Sequence, residues 1–353
     1  MSLKRIRIFI IDDQTVVREI LKKMFSTDSE CEVVGEAGDP YEASQLIPDL
    51  TPDVLTLDIE MPRMNGVEFL RKLMPQYPIP VIMLTSTSER GSEQAIQAMA
   101  YGAVDFITKP DGLDSLQSMQ TILLAKVKAA AKVKIHQHFQ QSRFRKTTLP
   151  TSLAVSSHKK YKYVAIGAST GGVTAIRSIL AQIPQNFPPI LIVQHMPKGF
   201  TKTFAASLQR EFGLVTREAE NLEVLQNNRV YVAPGNFHMT LKYAVGNFVI
   251  HLDSTEKING HRPSVDVLFA SIAKTGFAAD FLGIILTGMG SDGANGLLAM
   301  SKAGAKTLGQ DQESSLIYGM PRVAFEQGAV QEQIALAEVA TKMRYYLQHP
   351  HEV

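Results

Sequence analysis

Short apolar runs alternate with amphipathic stretches over the first third of the chain. Runs at residues 6–11, 33–36, 54–57, 81–84 and 104–107 are mostly Val, Ile and Leu and predict strands. Between them, stretches around residues 16–24, 41–47, 67–74, 93–99 and 113–124 carry apolar residues at helical spacing. Buried strands separated by helices imply a parallel sheet covered on both faces, where ligands gather at the carboxyl ends of the strands. From residue 125 to about residue 160 this order gives way to Lys, Gln, Ser, Thr and His, with room for the last helix to continue through residues 129–133. A second series follows, with strands expected at 163–166, 190–193, 230–233, 248–252 and 282–286. Helices are expected around 173–180, 204–211, 264–273 and 296–303. The fold class is α/β, with two doubly wound parallel-sheet domains at residues 1–125 and 160–350 joined by a basic linker at 126–159.

A length of 353 residues suits two domains, and 45% hydrophobic with 20% charged residues suits two full cores. The net charge of +2 gives no reason to expect a nucleic-acid partner. Charge is unevenly spread, however: no Asp or Glu lies between Asp114 and Glu211, a span holding Lys126, Lys128, Lys132, Lys134, Arg143, Arg145 and Lys146. This reads either as a solvated linker or as a patch that meets an acidic partner. Cys31 is the only cysteine, so no intramolecular disulfide forms and a reducing compartment is expected. The first apolar run ends at Asp12 and Asp13, too early for a signal peptide. No run approaches the ~18 apolar residues of a membrane span, so a cytoplasmic protein without membrane insertion is expected.

Asp12 and Asp13 close the first strand, Asp58 the third and Thr85 the fourth, while Lys109 follows the fifth. A parallel sheet brings all five to one edge. Three crowded carboxylates repel one another unless a hard cation such as Mg²⁺ sits among them. One carboxylate can then accept a phosphoryl group, with lysine and metal neutralising the charge. Any single Asp here also reads as a helix cap, but the five together do not. The first ~125 residues resemble a response-regulator receiver domain, on the acidic pair, the run Asp58-Ile59-Glu60-Met61-Pro62, Gly66, Thr85 and Lys109-Pro110. The resemblance implies that Asp58 is phosphorylated by a histidine kinase. It implies that Asp13, Asp58 and the Glu60 carbonyl bind Mg²⁺ with support from Asp12, that Thr85 and Lys109 hold the phosphoryl group, and that Phe106 is the switch aromatic.

In the second series, Gly167-Ala168-Ser169-Thr170-Gly171-Gly172 follows a strand and opens a helix, placing a serine at a tight turn between small residues. His195 closes the next strand, and Asp292 follows the run at 282–286. Together they supply a nucleophile, a base and an orienting carboxylate at one sheet edge. Taken singly, each has a plainer reading: Ser169 and Asp292 as helix caps, His195 as a packing residue. His238 and His261 are lesser candidates for the base, since neither closes a strand beside the serine. The chain order Ser, His, Asp disfavours a lipase-type hydrolase. Residues 160–350 instead resemble the catalytic domain of chemotaxis protein-glutamate methylesterases, on Gly167 to Gly172, Val193 to Pro197, Ala233-Pro234-Gly235, Arg262-Pro263-Ser264-Val265-Asp266 and Leu286 to Ala294. Asn236 departs from the family pattern, where a second glycine is expected.

The resemblance implies that Ser169 is the nucleophile, His195 the general base and acid, Asp292 the orienting residue and the Met289 amide an oxyanion donor. It implies methylated chemoreceptors as substrate, with deamidation of receptor glutamine in some members, and no cofactor in the catalytic domain. It further implies that the unphosphorylated receiver covers the active site and that phosphorylation relieves this. Three other readings compete. Gly288-Met289-Gly290-Ser291-Asp292-Gly293 spells G-x-G-x-x-G, with Asp311 beyond it, as in a dinucleotide-dependent oxidoreductase. The second half could be a non-catalytic binding module switched by the receiver, or, with least support, a DNA-binding output.

Overall fold

The computed structural model describes residues 4–110, 113–133, 161–184 and 186–348. The chain divides into two units, Met1–Gln141 and Ser142–Val353. Most of the expected basic linker, including Lys134, Arg143, Arg145 and Lys146, lies outside the described residues.

The first unit has strands β1 (Ile6–Ile11), β2 (Cys31–Ala37), β3 (Val54–Asp58), β4 (Val81–Thr85) and β5 (Asp105–Thr108). They alternate with helices α1 (Thr15–Ser26), α2 (Pro40–Leu50), α3 (Gly66–Leu73), α4 (Glu89–Ala100) and α5 (Leu113–Ala130). The strands form one parallel sheet in the order β2-β1-β3-β4-β5, the flavodoxin-like arrangement. Every residue of β3 and β4 is buried, as continuous apolar runs in a doubly covered sheet require. Side chains cap three of the helices, α2, α3 and α4: Asp39 accepts from Tyr41 N and Glu42 N, Asn65 from Glu68 N, and Ser88 from Gly91 N. Helix α5 runs into the basic segment, and two of its lysines are already paired. Lys126 meets Asp105 at 2.9 Å, and Lys128 meets Asp28 and Glu30 at 2.7 Å each.

The second unit holds β6 (Tyr163–Ala168), α6 (Gly172–Leu180), β7 (Ile190–Gln194), α7 (Phe200–Phe212), β8 (Val215–Glu218), β9 (Arg229–Val232), β10 (His238–Ala244) and β11 (Asn247–Asp253). It continues with α8 (Val265–Ala273), β12 (Phe281–Ile285), α9 (Ala294–Lys302), β13 (Lys306–Gln310), α10 (Met320–Glu326), β14 (Glu332–Ile334) and α11 (Leu336–Gln348). Seven parallel strands are ordered β14-β13-β12-β6-β7-β9-β8. The chain moves outward from β6 through β7, then returns to lay β12 on the other side of β6, which makes a switch point where ligands of such sheets bind. The expected strand at residues 248–252 is real but lies in an antiparallel hairpin with β10, outside the parallel sheet. Its inward residues Phe248 and Ile250, with Met239 and Leu241 of β10, join the core formed by α8, α9 and the sheet.

Candidate active site

The register of the sheet sets the geometry. Ala168 pairs with Gln194, so Ser169 and His195 leave β6 and β7 side by side, and His195 N donates to Ala168 O at 3.1 Å. Strand β12 flanks β6 on its other edge, which brings the loop holding Asp292 to the same end. The Ser169 turn is held by its own backbone. Ser169 N donates to Thr287 O at 3.0 Å, and Ser169 O accepts from Gly172 N and from Gln194 Nε2 at 2.8 and 2.9 Å. Gly171 has φ +80°, a left-handed conformation in which side chains are strained. Gly288 is needed for close approach, since a Cβ there would lie 2.8 Å from Ser169 Cβ. Gly288 is itself fixed by Ile317 O, which accepts its N–H at 3.0 Å.

His195 Nε2 lies 2.7 Å from Asp292 Oδ2. Asp292 is buried and heavily bonded. Oδ2 also accepts from Val265 N at 2.7 Å, while Oδ1 accepts from Ser264 Oγ, Asn259 Nδ2 and Asp266 N at 2.7, 2.9 and 3.3 Å. The carboxylate therefore sits on the N-terminus of α8, where free amides and the helix dipole favour an anion. Burial pushes its pKa up, but the bonds to His195, Asn259 and Ser264 outweigh burial and hold it far below the usual carboxylate range. An ionised Asp292 only accepts, so His195 Nε2 carries the hydrogen and Nδ1 keeps the lone pair. Nδ1 is buried and has no hydrogen-bond partner.

The other histidines have different tasks. His238 is fully buried; its Nδ1 accepts from Ser264 N at 3.3 Å and its Nε2 donates to Glu256 O at 2.9 Å. Both nitrogens are occupied, so His238 anchors the start of α8. His261 stacks on His195, with ring centroids 3.7 Å apart and planes 9° from parallel. Asn236, the departure from the family pattern, adopts φ +72° as a glycine would, and its Oδ1 accepts from Arg262 Nη2 at 2.7 Å. Of the parts needed for a dinucleotide site, Asp311 is already taken by Ser314, whose N and Oγ donate to it at 2.9 and 2.6 Å. Asn259, Ser264 and Asp266 belong to the site but receive no role from sequence reasoning; Ser264 and Asp266 lie in the Arg262 to Asp266 stretch that carries the resemblance, and the only signal at Asn259 is an Asn-Gly turn.

In the first unit, Asp12, Asp13 and Asp58 offer oxygen atoms that all lie within 4.8 Å of one another. Lys109 Nζ is 2.9 Å from an oxygen of Asp12 and 2.9 Å from one of Asp58. Burial, then the Asp12 charge, pushes the Asp58 pKa up to about 6 against the pull of Lys109. One lysine thus leaves negative charge uncompensated, and an all-oxygen donor set of this kind fits a hard cation such as Mg²⁺. The Glu60 side chain accepts from Ser86 Oγ at 3.2 Å, and its N–H reaches Asp58 Oδ1 at 3.4 Å. The Thr85 hydroxyl faces Gly91 O at 3.0 Å. Phe106 is buried, with Lys126 Nζ 5.6 Å above its ring and 2.8 Å from its carbonyl.

The family model described as CheB methylesterase matches residues 164–343, and that of the response regulator receiver domain matches residues 8–121. The chain is 44% identical to the protein-glutamate methylesterase/protein-glutamine glutaminase of Syntrophotalea carbinolica over 96% of this chain and 97% of that one. It is 43% identical to the protein of the same name from Escherichia coli, over 97% of each. Among solved structures, the catalytic domain of the Thermotoga maritima CheB methylesterase matches with 37% identity and a TM-score of 0.50, over 52% of this chain and 97% of that one. A serine in a tight strand-to-helix turn, a carboxylate-bound histidine and an acidic pocket thus coincide with near full-length similarity, and the chain belongs to the CheB methylesterase family, with a response-regulator receiver domain ahead of the catalytic unit.

Proposed function

We propose that this protein hydrolyses the γ-methyl esters of glutamate residues in methylated chemoreceptors, releasing methanol, and that phosphorylation of its receiver raises that activity. One observation carries the reading: a buried anion, Asp292, holds His195 Nε2–H and leaves Nδ1 without a partner, at the end of the strand that pairs with the one leading into Ser169. Ser169 Oγ attacks the ester carbonyl as its proton passes to His195 Nδ1. The Met289 N–H donates to the oxyanion, a contribution of roughly 3–4 kcal/mol to lowering the barrier. The C–OCH₃ bond then breaks, and Nδ1 returns the proton so that methanol leaves. Water attacks the acyl-serine, again giving its proton to Nδ1, and collapse frees the glutamate carboxylate and restores Ser169. An amide substrate runs through the same steps with ammonia as leaving group, which accounts for the glutaminase half of the relatives' name.

In the receiver, Asp58 is the phosphoryl acceptor and a chemotaxis histidine kinase the donor. Asp12, Asp13, Asp58 and the Glu60 carbonyl would hold Mg²⁺, which neutralises phosphoryl charge when bound. Lys109 adds a fixed positive charge at the same point. Thr85 can reach a phosphoryl oxygen only by leaving Gly91 O, which couples the acceptor to the start of α4. Among the described residues no helix is long and apolar enough to cross a membrane, which is compatible with a cytoplasmic enzyme acting on the receptors' cytoplasmic helices.

Methanol release from methylated receptor tests the reading. Wild-type protein should release methanol, and Ser169→Ala should lower the rate by roughly 10⁴-fold or more. Equal release by both would remove Ser169 as the nucleophile. No release by wild type, even with acetyl phosphate and Mg²⁺, would favour a receiver-controlled binding module.

A further inference from the structure

Asp292 has a second carboxylate for a neighbour. Asp266, in the first turn of α8, is 9% exposed, and its Oδ1 accepts from Gly296 N at 2.6 Å. Its other oxygen accepts from Asn259 Nδ2 at 2.8 Å, and the same Nδ2 donates to Asp292 Oδ1 at 2.9 Å. A primary amide has two N–H bonds on one nitrogen, so it can bridge two acceptors while adding no charge. The two carboxylates are otherwise like charges facing each other in a site of low dielectric.

The turn that carries Asn259 is specified locally. Ile258 and His261 exchange backbone hydrogen bonds at 3.1 and 2.9 Å, and the two residues between them, Asn259 and Gly260, have φ of +53° and +80°. Asn-Gly is the preferred pair for a two-residue turn with both φ positive. At the end of this turn His261 lays its ring on His195. One short turn therefore touches two members of the triad, Asp292 through an amide and His195 through a stacked ring.

We infer that Asn259 is the positioning residue of the triad, bridging Asp266 and Asp292 so that the Asp292 carboxylate stays ionised and aimed at His195 Nε2. The inference rests on the esterase reading for its effect on rate. Without the bridge, Asp292 Oδ1 keeps Ser264 Oγ and the longer bond from Asp266 N, but no side-chain donor stands between the two carboxylates. The carboxylate then turns or takes up a proton, and either change loosens His195.

The test uses the full chain. Asn259→Gly keeps the backbone freedom of the turn and deletes the amide, and Asn259→Asp keeps the shape and removes both donors. Losing one hydrogen bond to a charged group predicts a kcat about tenfold to a hundredfold lower, with KM for methylated receptor within about twofold. Asn259→Asp should lose more than Asn259→Gly. Independently of substrate, the far-downfield proton resonance of the His195–Asp292 hydrogen bond, identified by its absence in Asp292→Asn, should broaden or vanish in Asn259→Gly. An unchanged resonance with kcat within twofold of wild type would overturn the inference. If wild type releases no methanol, the esterase reading falls, and the resonance alone still decides whether Asn259 positions Asp292.

Discussion

At the scale of single residues, the candidate site is organised by how Asp292 is held. Its two oxygens take five donors, two of them backbone amides at the N-terminus of α8. The native pKa therefore lies below the value of an unfolded aspartate, about 3.9. A group depressed in this way stabilises the fold above its unfolded value, and the contribution is lost as pH falls toward the native one. Asp292→Asn should thus be less stable than wild type near neutral pH, and the gap should narrow as pH drops below about 4. Urea unfolding at stepped pH reads this directly. A gap of constant size would mean that Asp292 is not held ionised by its partners. Asp266 works in the opposite sense, because burial raises it and the Gly296 and Asn259 bonds oppose that only in part.

Among the elements, the hairpin of β10 and β11 shows a local conflict. Ala244 pairs with Asn247, so Val245 and Gly246 form the turn, with φ of +50° and +80°. A β-branched side chain resists positive φ, and Val245 is 97% exposed, so packing returns nothing for the strain. Asn tolerates this conformation. Val245→Asn should stabilise the protein by about 1 kcal/mol, raising the melting temperature of the catalytic unit by roughly 2–4 °C in calorimetry. A lower melting temperature would show that the Val245 side chain makes a contact that outweighs its backbone strain. The parallel sheet shows no such conflict: β6, β7 and β12 are apolar where they are buried, apart from Gln194, whose amide bonds Ser169 O, and they end on Ser169, His195 and the Asp292 loop.

On the scale of the whole molecule, the receiver can control hydrolysis only as far as the phosphoryl group favours one arrangement of the chain over another. A tenfold activation corresponds to about 1.4 kcal/mol of such preference. Wild type incubated with acetyl phosphate and Mg²⁺ should gain the mass of one phosphoryl group and release methanol faster. Asp58→Asn should show neither change, and activation that survived in it would place the acceptor elsewhere. The basic segment contributes less charge to a partner than its composition suggests, because Lys126 and Lys128 are committed to Asp105, Asp28 and Glu30. Among the lysines of α5 and its end, Lys132 is exposed and is the better candidate for an acidic partner.

Sequence alone determined the α/β class, the order of most strands and the residue types at their carboxyl ends, because buried parallel strands are continuous apolar runs and the chemistry follows them. It also determined the family, through motifs in which small residues flank a serine or an aspartate. It did not reveal β8, β10, β13 and β14, or the helices α10 and α11. Lys306-Thr307-Leu308-Gly309-Gln310 is buried for most of its length yet reads as a mixed segment, and Glu332–Ile334 is too short to carry a period. Tertiary structure decided which nitrogen of His195 is free, since that depends on Asp292, 97 residues away, being an anion. It also gave His238 to the helix and His261 to the His195 ring, and it bridged Asp266 and Asp292 with Asn259. These are long-range hydrogen bonds and stacking contacts, and no local pattern of apolar and polar residues encodes which side chains meet once the sheet has closed.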